Sequence, residues 1–211
     1  MSDFELKHKT ASKLSEHIAY KITQCLKFLL NIFYGTRYAK RAVILETIAA
    51  VPGMVAGMFN HLKALRRMKD DEGWIRELLD EAENERMHLM IFLDIAKPSW
   101  VERALVMLGQ GAFIMVYSLI YLLSSKIAHR VVGYFEEEAC KSYTEYLDKI
   151  DAGEVENAGA PKIAIEYYKL PLDALLRDVI VKIREDEAKH RDQNHSFADA
   201  YESHNLPTHQ S

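Results

Sequence analysis

The sequence predicts an all-α protein, and three observations carry that expectation. Apolar residues recur at helical spacing through long stretches of chain. Only five prolines and nine glycines interrupt 211 residues. Turn dipeptides of the Asn-Gly kind are scarce. A chain of this length is enough for one domain with a sizeable core, so residues 1–211 are read as a single domain.

Six helices follow in order, at about 12–33, 37–69, 73–96, 99–123, 126–150 and 171–200. Breaks are expected at Gly35-Thr36, Asp71-Glu72-Gly73, Pro98-Ser99 and Ser124-Ser125, with a loop over 151–162, DAGEVENAGAPK. Pro52-Gly53 falls inside the second helix and is expected to kink it, because the apolar pattern continues to Phe59. The tail after about 202 reads as frayed.

Two helices carry apolar surface beyond what a core needs. Residues 104–123, ALVMLGQGAFIMVYSLIYLL, contain no charge over a length that could cross a bilayer. Residues 18–34 of the first helix mix an apolar face with Lys21 and Lys27, and Arg37, Lys40 and Arg41 follow. That pattern fits a helix lying in the headgroup layer. A membrane-surface protein is therefore expected ahead of a spanning one, and a spanning one ahead of a soluble one. A span would part His88 from Glu136 by about 30 Å of hydrocarbon.

Net charge is −4, with both signs mixed along the chain, which argues against nucleic acid as a partner. The two cysteines, Cys25 and Cys140, are too few for a disulfide framework and lie at no metal-site spacing, so a reducing compartment is expected. The N-terminus shows no apolar segment of the secretory kind. A bacterial protein is expected, on the cytoplasmic face of the inner membrane. The alternative is a mature mitochondrial form on the matrix face of that inner membrane.

The chemistry lies in paired motifs. ENERMHL places Glu85 and His88 three residues apart, and REDEAKHR repeats the spacing with Glu187 and His190. Residues three apart share one helix face, so each pair offers an oxygen and a nitrogen to a common centre. Glu46 interrupts the apolar run AVILETIAAVPGMVAGMF, where a carboxylate costs several kcal/mol unless it is paired or metal-bound. Glu136 opens the run EEE and shares a face with His129 and Tyr143, spaced by sevens, while Glu137 and Glu138 point elsewhere. Two single-Glu helices and two Glu-x-x-His helices form the ligand set of di-iron or di-manganese carboxylate bundles. Hard oxygen donors with few imidazoles suit those metals. Tyr143 lies about 10 Å along the helix from Glu136. Asp186 and Asn84, beside Glu187 and Glu85, are candidates to orient ligand imidazoles.

These segments resemble the alternative oxidases. The likeness rests on LET (45–47), NERMHL (84–89), FEEEA (135–139) and REDEAKHR (184–191), and it extends over about residues 7–200. It implies a ferritin-like four-helix di-iron bundle plus two membrane-contacting helices in a monotopic homodimer. The bundle would be the second, third, fifth and sixth helices, and the first and fourth would meet the membrane lipid.

The implied activity is cyanide-insensitive oxidation of ubiquinol to ubiquinone, with molecular oxygen reduced to water and no proton pumping. Implied ligands of two iron ions are Glu46, Glu85, His88, Glu136, Glu187 and His190, with Glu85 and Glu187 bridging. Tyr143 matches the redox-active tyrosine, and Asn84, His129, Tyr167 and Asp186 match the surrounding hydrogen-bond network. Arg41, Leu45, Glu138, Ala139 and Ser142 match the quinol pocket.

The sequence departs from the family at Glu185 and Lys189, where Ala and His are usual, and at Phe135, where Leu is usual. Lys40 replaces a regulatory cysteine of plant members. Tyr168 stands where tryptophan is common, so no role is carried over to that ring. Two rivals share the ligand set: a di-iron quinone hydroxylase, and a ferritin-like iron-storage protein, which would have no use for the two apolar helices.

Overall fold

The computed structural model describes residues 6–34 and 38–202, without the side chains of 29–34 and 202. Those residues form seven helices and no named strand: α1 Leu14–Tyr34, α2 Tyr38–Arg67, α3 Trp74–Ala96, α4 Trp100–Leu123, α5 Ser125–Asp151, α6 Lys162–Tyr168 and α7 Leu176–Glu202. Arg37, the expected break at Gly35-Thr36 and the tail beyond 202 lie outside the described residues.

Local chemistry sets the helix ends. Ser99 caps α4 in a reciprocal box: its hydroxyl accepts from the Glu102 N–H, and the Glu102 carboxylate accepts from the Ser99 N–H. Ser124 closes α4 through its own N–H and opens α5 by accepting from Ile127 N–H. Lys97 and Lys169 end α3 and α6 in the left-handed conformation. Pro52 is accommodated within α2, which stays one helix from Tyr38 to Arg67.

The expected division into six helices is corrected at the C-terminal side. Lys162–Tyr168 is a separate helix between Pro161 and Pro171, too short for a helical period to show in the sequence. The last helix begins at Leu176 and not at 171. A turn closed by Ala174 N–H to Pro171 O at 3.0 Å occupies those residues, and Asp178 accepts from Leu175 N–H at 2.9 Å.

The bundle is built from two extensively packed pairs, α5 with α7 and α2 with α3. α2, α3, α5 and α7 occupy the places expected of the second, third, fifth and sixth helices. The largest core cluster includes Ile91, Phe92, Tyr143, Tyr146, Val179, Ile180 and Ile183, all from these helices or their ends. A second, with Val55, Leu78, Tyr117, Tyr121 and Phe197, ties α4 to them. α1 packs on α5, burying Ala19 and Thr23.

α2 and α4 are both long and apolar enough to cross a membrane, yet they differ in placement. In the most apolar stretch of α2, 78% of residues are buried, against 11% in α4. α2 is thus a core helix, whereas α4 turns Leu105, Met107, Leu108, Met115, Leu119 and Leu122 outward. On α1, Leu14, Ile18 and Phe28 are also exposed.

Candidate metal centre

Each helix of the bundle delivers its acidic motif to one buried point. Glu46, Glu85, His88, Glu136 and Glu187 are at most 2% exposed, and His190 is 9% exposed. Single ligand atoms of Glu46, Glu85, His88 and Glu187 all lie within 4.8 Å of one another. His88 Nδ1 is 3.1 Å from Glu187 Oε1, 3.3 Å from Glu46 Oε2 and 3.6 Å from Glu85 Oε2. His190 Nδ1 is 2.6 Å from Glu85 Oε1 and 3.8 Å from Glu187 Oε2. Glu136 joins the group by interacting with Glu187 and Glu85.

The electrostatics show four carboxylates crowded where water cannot screen them. Burial, then the charges of Glu187 and Glu85, pushes Glu46 and Glu136 well above the usual carboxylate range. Burial opposes charge on His88 and His190, but the surrounding carboxylates outweigh it and lift both well above an ordinary histidine. Burial likewise disfavours charge on Glu85, but the two imidazoles outweigh it and hold that carboxyl below its usual range.

The arrangement fits a metal centre. Among the described residues, buried atoms of Glu46, Glu85, His88, Glu136, Glu187 and His190 find no hydrogen bond of good geometry, although several face one another within 4 Å. Buried polar atoms in a native fold are otherwise almost always satisfied. Cations entering the group would displace the protons that burial and crowding hold there, and the four carboxylates and two imidazoles, once deprotonated, sum to −4, the charge that two divalent cations would cancel. The residues that could hold them are these six.

Around them lies a shell of hydrogen bonds. His88 Nε2 is 2.8 Å from the Tyr168 hydroxyl, which donates to Asp186 Oδ2 at 2.9 Å. With Nε2–H donating to the tyrosine oxygen, Nδ1 faces the carboxylates and is the nitrogen that a metal would take in exchange for its proton. Asn84 donates to Asp186 at 3.3 Å and to the Tyr167 hydroxyl at 2.7 Å. Tyr143 donates to Glu46 Oε1, with its ring stacked on Phe92 at 5.8 Å. His129 sits further out: its Nδ1 pairs with Asn194 Oδ1 at 3.1 Å, and Asn194 in turn donates to His190 O and to both oxygens of Glu81.

The structure adds three residues that the sequence reading passed over. Tyr168, to which no role was carried over, bridges His88 and Asp186. Glu81 is buried, and burial pushes its carboxyl up to about 7. Asn194 links it to α7. Glu81 lies one helical turn before Glu85 and Asn194 one turn after His190, a spacing visible in the sequence once the ligands are known.

The residues expected at a quinol pocket are spread along α2 and α5. Leu45, Ala139 and Ser142 are buried, and Arg41 Nε is buried without a partner. Glu138 is paired with Lys27 at 2.5 Å and Lys141 at 2.9 Å. A narrow apolar cavity of about 10 Å³ lies nearby, between Leu26, Ile48, Pro52, Phe113, Val131 and Phe135, with none of the expected five in its wall.

An all-helical bundle with two Glu helices and two Glu-x-x-His helices around one buried centre belongs to the class of carboxylate metal-binding bundles. Within that class the alternative oxidase family model matches residues 1–199, and the chain belongs to that family. It is 54% identical over 195 residues to ubiquinol oxidase 2, mitochondrial, of Nicotiana tabacum, covering 92% of this chain and 66% of that protein. Ubiquinol oxidase 1c, mitochondrial, of Arabidopsis thaliana is 53% identical over 201 residues, covering 95% of this chain and 61% of the relative. Ubiquinol oxidase 1a, mitochondrial, of Oryza sativa subsp. japonica is 55% identical over 195 residues, covering 92% and 59%. The chain thus spans less than two thirds of the length of these curated relatives.

Proposed function

We propose that this protein is a ubiquinol:oxygen oxidoreductase. It oxidises two ubiquinol molecules to ubiquinone for each molecular oxygen reduced to two waters, is insensitive to cyanide and pumps no protons. The observation that carries this reading is the set of orphaned ligand atoms converging from α2, α3, α5 and α7, with Tyr143 hydrogen-bonded to one of the ligands. Family membership and the names of the relatives support the substrates.

Glu46, Glu85, His88, Glu136, Glu187 and His190 would hold two iron ions. Bound iron would supply oxygen binding and electron transfer. Tyr143 keeps its proton, because burial first and then the charge of Glu46 push the phenol well above its ordinary range. It therefore holds a hydrogen atom at Glu46 Oε1, available to the reaction. Asp186 and Tyr168 hold the His88 ring in the tautomer that presents Nδ1. Arg41, Leu45, Glu138, Ala139 and Ser142 would receive the quinol. Glu138 stays ionised: burial opposes its charge, but Lys27 and Lys141 outweigh burial and hold the carboxyl below its usual range.

The outer face of α4 and the exposed apolar residues of α1 support binding to one surface of a membrane. Its location would be the bacterial inner membrane on the cytoplasmic face, or the matrix face of the mitochondrial inner membrane; the relatives' names place them in mitochondria. Homodimer formation belongs to the same proposal.

The test is oxygen uptake by iron-loaded protein in membranes supplied with ubiquinol and cyanide. Uptake that yields ubiquinone and is abolished by Glu136→Ala or Glu187→Ala supports the oxidase. Absence of quinol-dependent uptake by the intact protein overturns it.

A further inference from the structure

A second, larger cavity, with both polar and apolar lining, lies on the side of the bundle where the ends of α2, α4 and α7 meet the start of α5. It measures about 150 Å³ and is lined by Asn60, Lys63, Arg66, Tyr121, Ser125 and Tyr201, among others. At about 30 Å³ per water, that is room for roughly five waters. It falls well below the roughly 300–1,000 Å³ of sites for drug-sized ligands. The space suits one compact polar group.

The floor is fixed. Asn60 Nδ2 donates to the Tyr121 hydroxyl at 3.0 Å, and the Tyr121 and Tyr201 hydroxyls are 3.4 Å apart. Phe59 stacks on Tyr121 at 5.7 Å, and Trp74 meets Tyr201 edge-on at 5.4 Å. The wall is positive. Lys63 Nζ lies 5.9 Å from the Tyr201 ring centroid, held over its π-face. Among the described residues, no carboxylate forms an ion pair with Lys63 or Arg66. Other partly buried lysines do have one: Lys9 pairs with Asp199, Lys27 with Glu138, Lys40 with Glu102 and Lys141 with Glu138. Burial, then the charge of Arg67, pulls the Lys63 ammonium below its ordinary range, as expected of a cation lacking a counter-charge.

The rim is apolar. Leu122 lines the cavity at 66% exposure and Leu123 follows at 77%, continuing the outward face of Leu108, Met115 and Leu119 along α4. A ligand with a compact anion and a long apolar tail would satisfy wall and rim together.

We propose that this cavity is a phosphate site that takes the headgroup of an anionic phospholipid, with Lys63 and Arg66 facing the phosphate and the acyl chains lying against α4. The site rests on the membrane-surface reading above and is independent of oxidase turnover. Free phosphate shares the chemistry of the headgroup, and the experiment separates the two.

Metal-loaded full-length protein is floated with vesicles of phosphatidylcholine alone or with added phosphatidylglycerol. Its thermal unfolding is followed in parallel with inorganic phosphate against chloride at matched ionic strength. The intact protein is expected to prefer the anionic vesicles. Lys63→Gln/Arg66→Gln loses on the order of twentyfold of that preference, while binding to phosphatidylcholine persists. The exposed single change Arg66→Gln loses about fivefold and guards against a folding defect in the double variant. Lys162→Gln/Lys182→Gln removes the same charge at α6 and near the start of α7, whose far end carries Tyr201, and retains the preference.

Phosphate protection of the intact protein, lost in Arg66→Gln and without a vesicle preference, keeps the site and makes free phosphate its occupant. Equal loss in the distant control, or no loss in either cavity variant together with no phosphate protection, overturns the site. Failure to float with any vesicle overturns the membrane reading instead, and the phosphate arm still decides the site.

Discussion

Tyr143 on α5 donates its hydroxyl hydrogen to Glu46 Oε1 on α2, so two helices that bring separate carboxylates to the buried cluster are joined there through a phenol. Both side chains are at most 2% exposed, and Phe92 lies parallel to the tyrosine ring at 5.8 Å. The phenol keeps Glu46 Oε1 satisfied and leaves Oε2 turned toward His88 Nδ1 at 3.3 Å.

Tyr143→Phe keeps the ring and its stacking and removes only the hydroxyl. Iron content should match that of the intact protein, and stability should fall by about 1 kcal/mol, the net worth of one buried hydrogen bond. Quinol-dependent oxygen uptake should fall roughly a hundredfold or more, the scale set by a positioned proton donor. Metal analysis alongside oxygen uptake checks both parts. Full activity with full iron would reject a role for the phenol in turnover.

Tyr168→Phe opens the chain from His88 Nε2 through the phenol to Asp186 and leaves the imidazole only the longer direct approach to Asp186 Oδ2 at 3.5 Å. Metal affinity should weaken about 10- to 100-fold, the usual cost of losing an outer partner of a ligand histidine. Asp186→Asn should weaken it similarly. Competition with a calibrated chelator measures both. Unchanged affinity in both variants would show that the ring is oriented by packing alone.

The parts of this centre legible in the sequence are those that one helix encodes by itself. The Glu-x-x-His spacing puts two candidate ligands on one face, and the sevenfold spacing of His129, Glu136 and Tyr143 favours Glu136 among three adjacent glutamates. What the sequence does not show depends on how helices dock. Tyr168 reaches His88 only because a seven-residue helix, too short to register as a period, packs against α3 and α7. Glu137 was read as pointing away from the site and is buried all the same. It accepts from Lys9 N–H at 2.9 Å, and histidines at positions 8 and 195 lie 2.5 and 3.0 Å from its oxygens. No local pattern encodes contacts across such separations.

Pro52-Gly53 illustrates the same limit. The pair reads as a kink, but Gly53 also lets α3 approach, since a Cβ there would fall 2.4 Å from the Leu78 carbonyl oxygen and 3.0 Å from Ala82 Cβ. Backbone cannot yield as a flexible side-chain tip can. Gly53→Ala should therefore destabilise the protein by about 1–3 kcal/mol, lowering the melting temperature by roughly 2–4 °C per kcal/mol. Gly57→Ala, whose Cβ would press on side-chain atoms of Leu79 at 3.1 and 3.3 Å and otherwise meet Leu78 Cβ at an ordinary 3.9 Å, should be much milder. Equal melting temperatures for the two variants would contradict the close approach.

Glu81 predicts a pH dependence that a single substitution outside the six ligand candidates can isolate. Burial raises its carboxyl from 4.5 to about 7, although Asn194 and His190 act in the opposite direction. A raised acid favours the folded state while it is protonated. Its contribution is therefore complete below pH 4.5, declines as the unfolded chain ionises first, and is gone above about pH 7. Glu81→Gln retains an oxygen for Asn194 and carries no charge at any pH. In metal-free protein, the variant's stability relative to the intact chain should climb between those two pH values and then level off. The full rise should be about 3 kcal/mol from a shift of this size. Denaturant unfolding of the two proteins across that range measures the difference. A gap that stays constant with pH would show that Glu81 is ionised in the folded protein throughout, with the Asn194 amide and the His190 imidazole stabilising its charge.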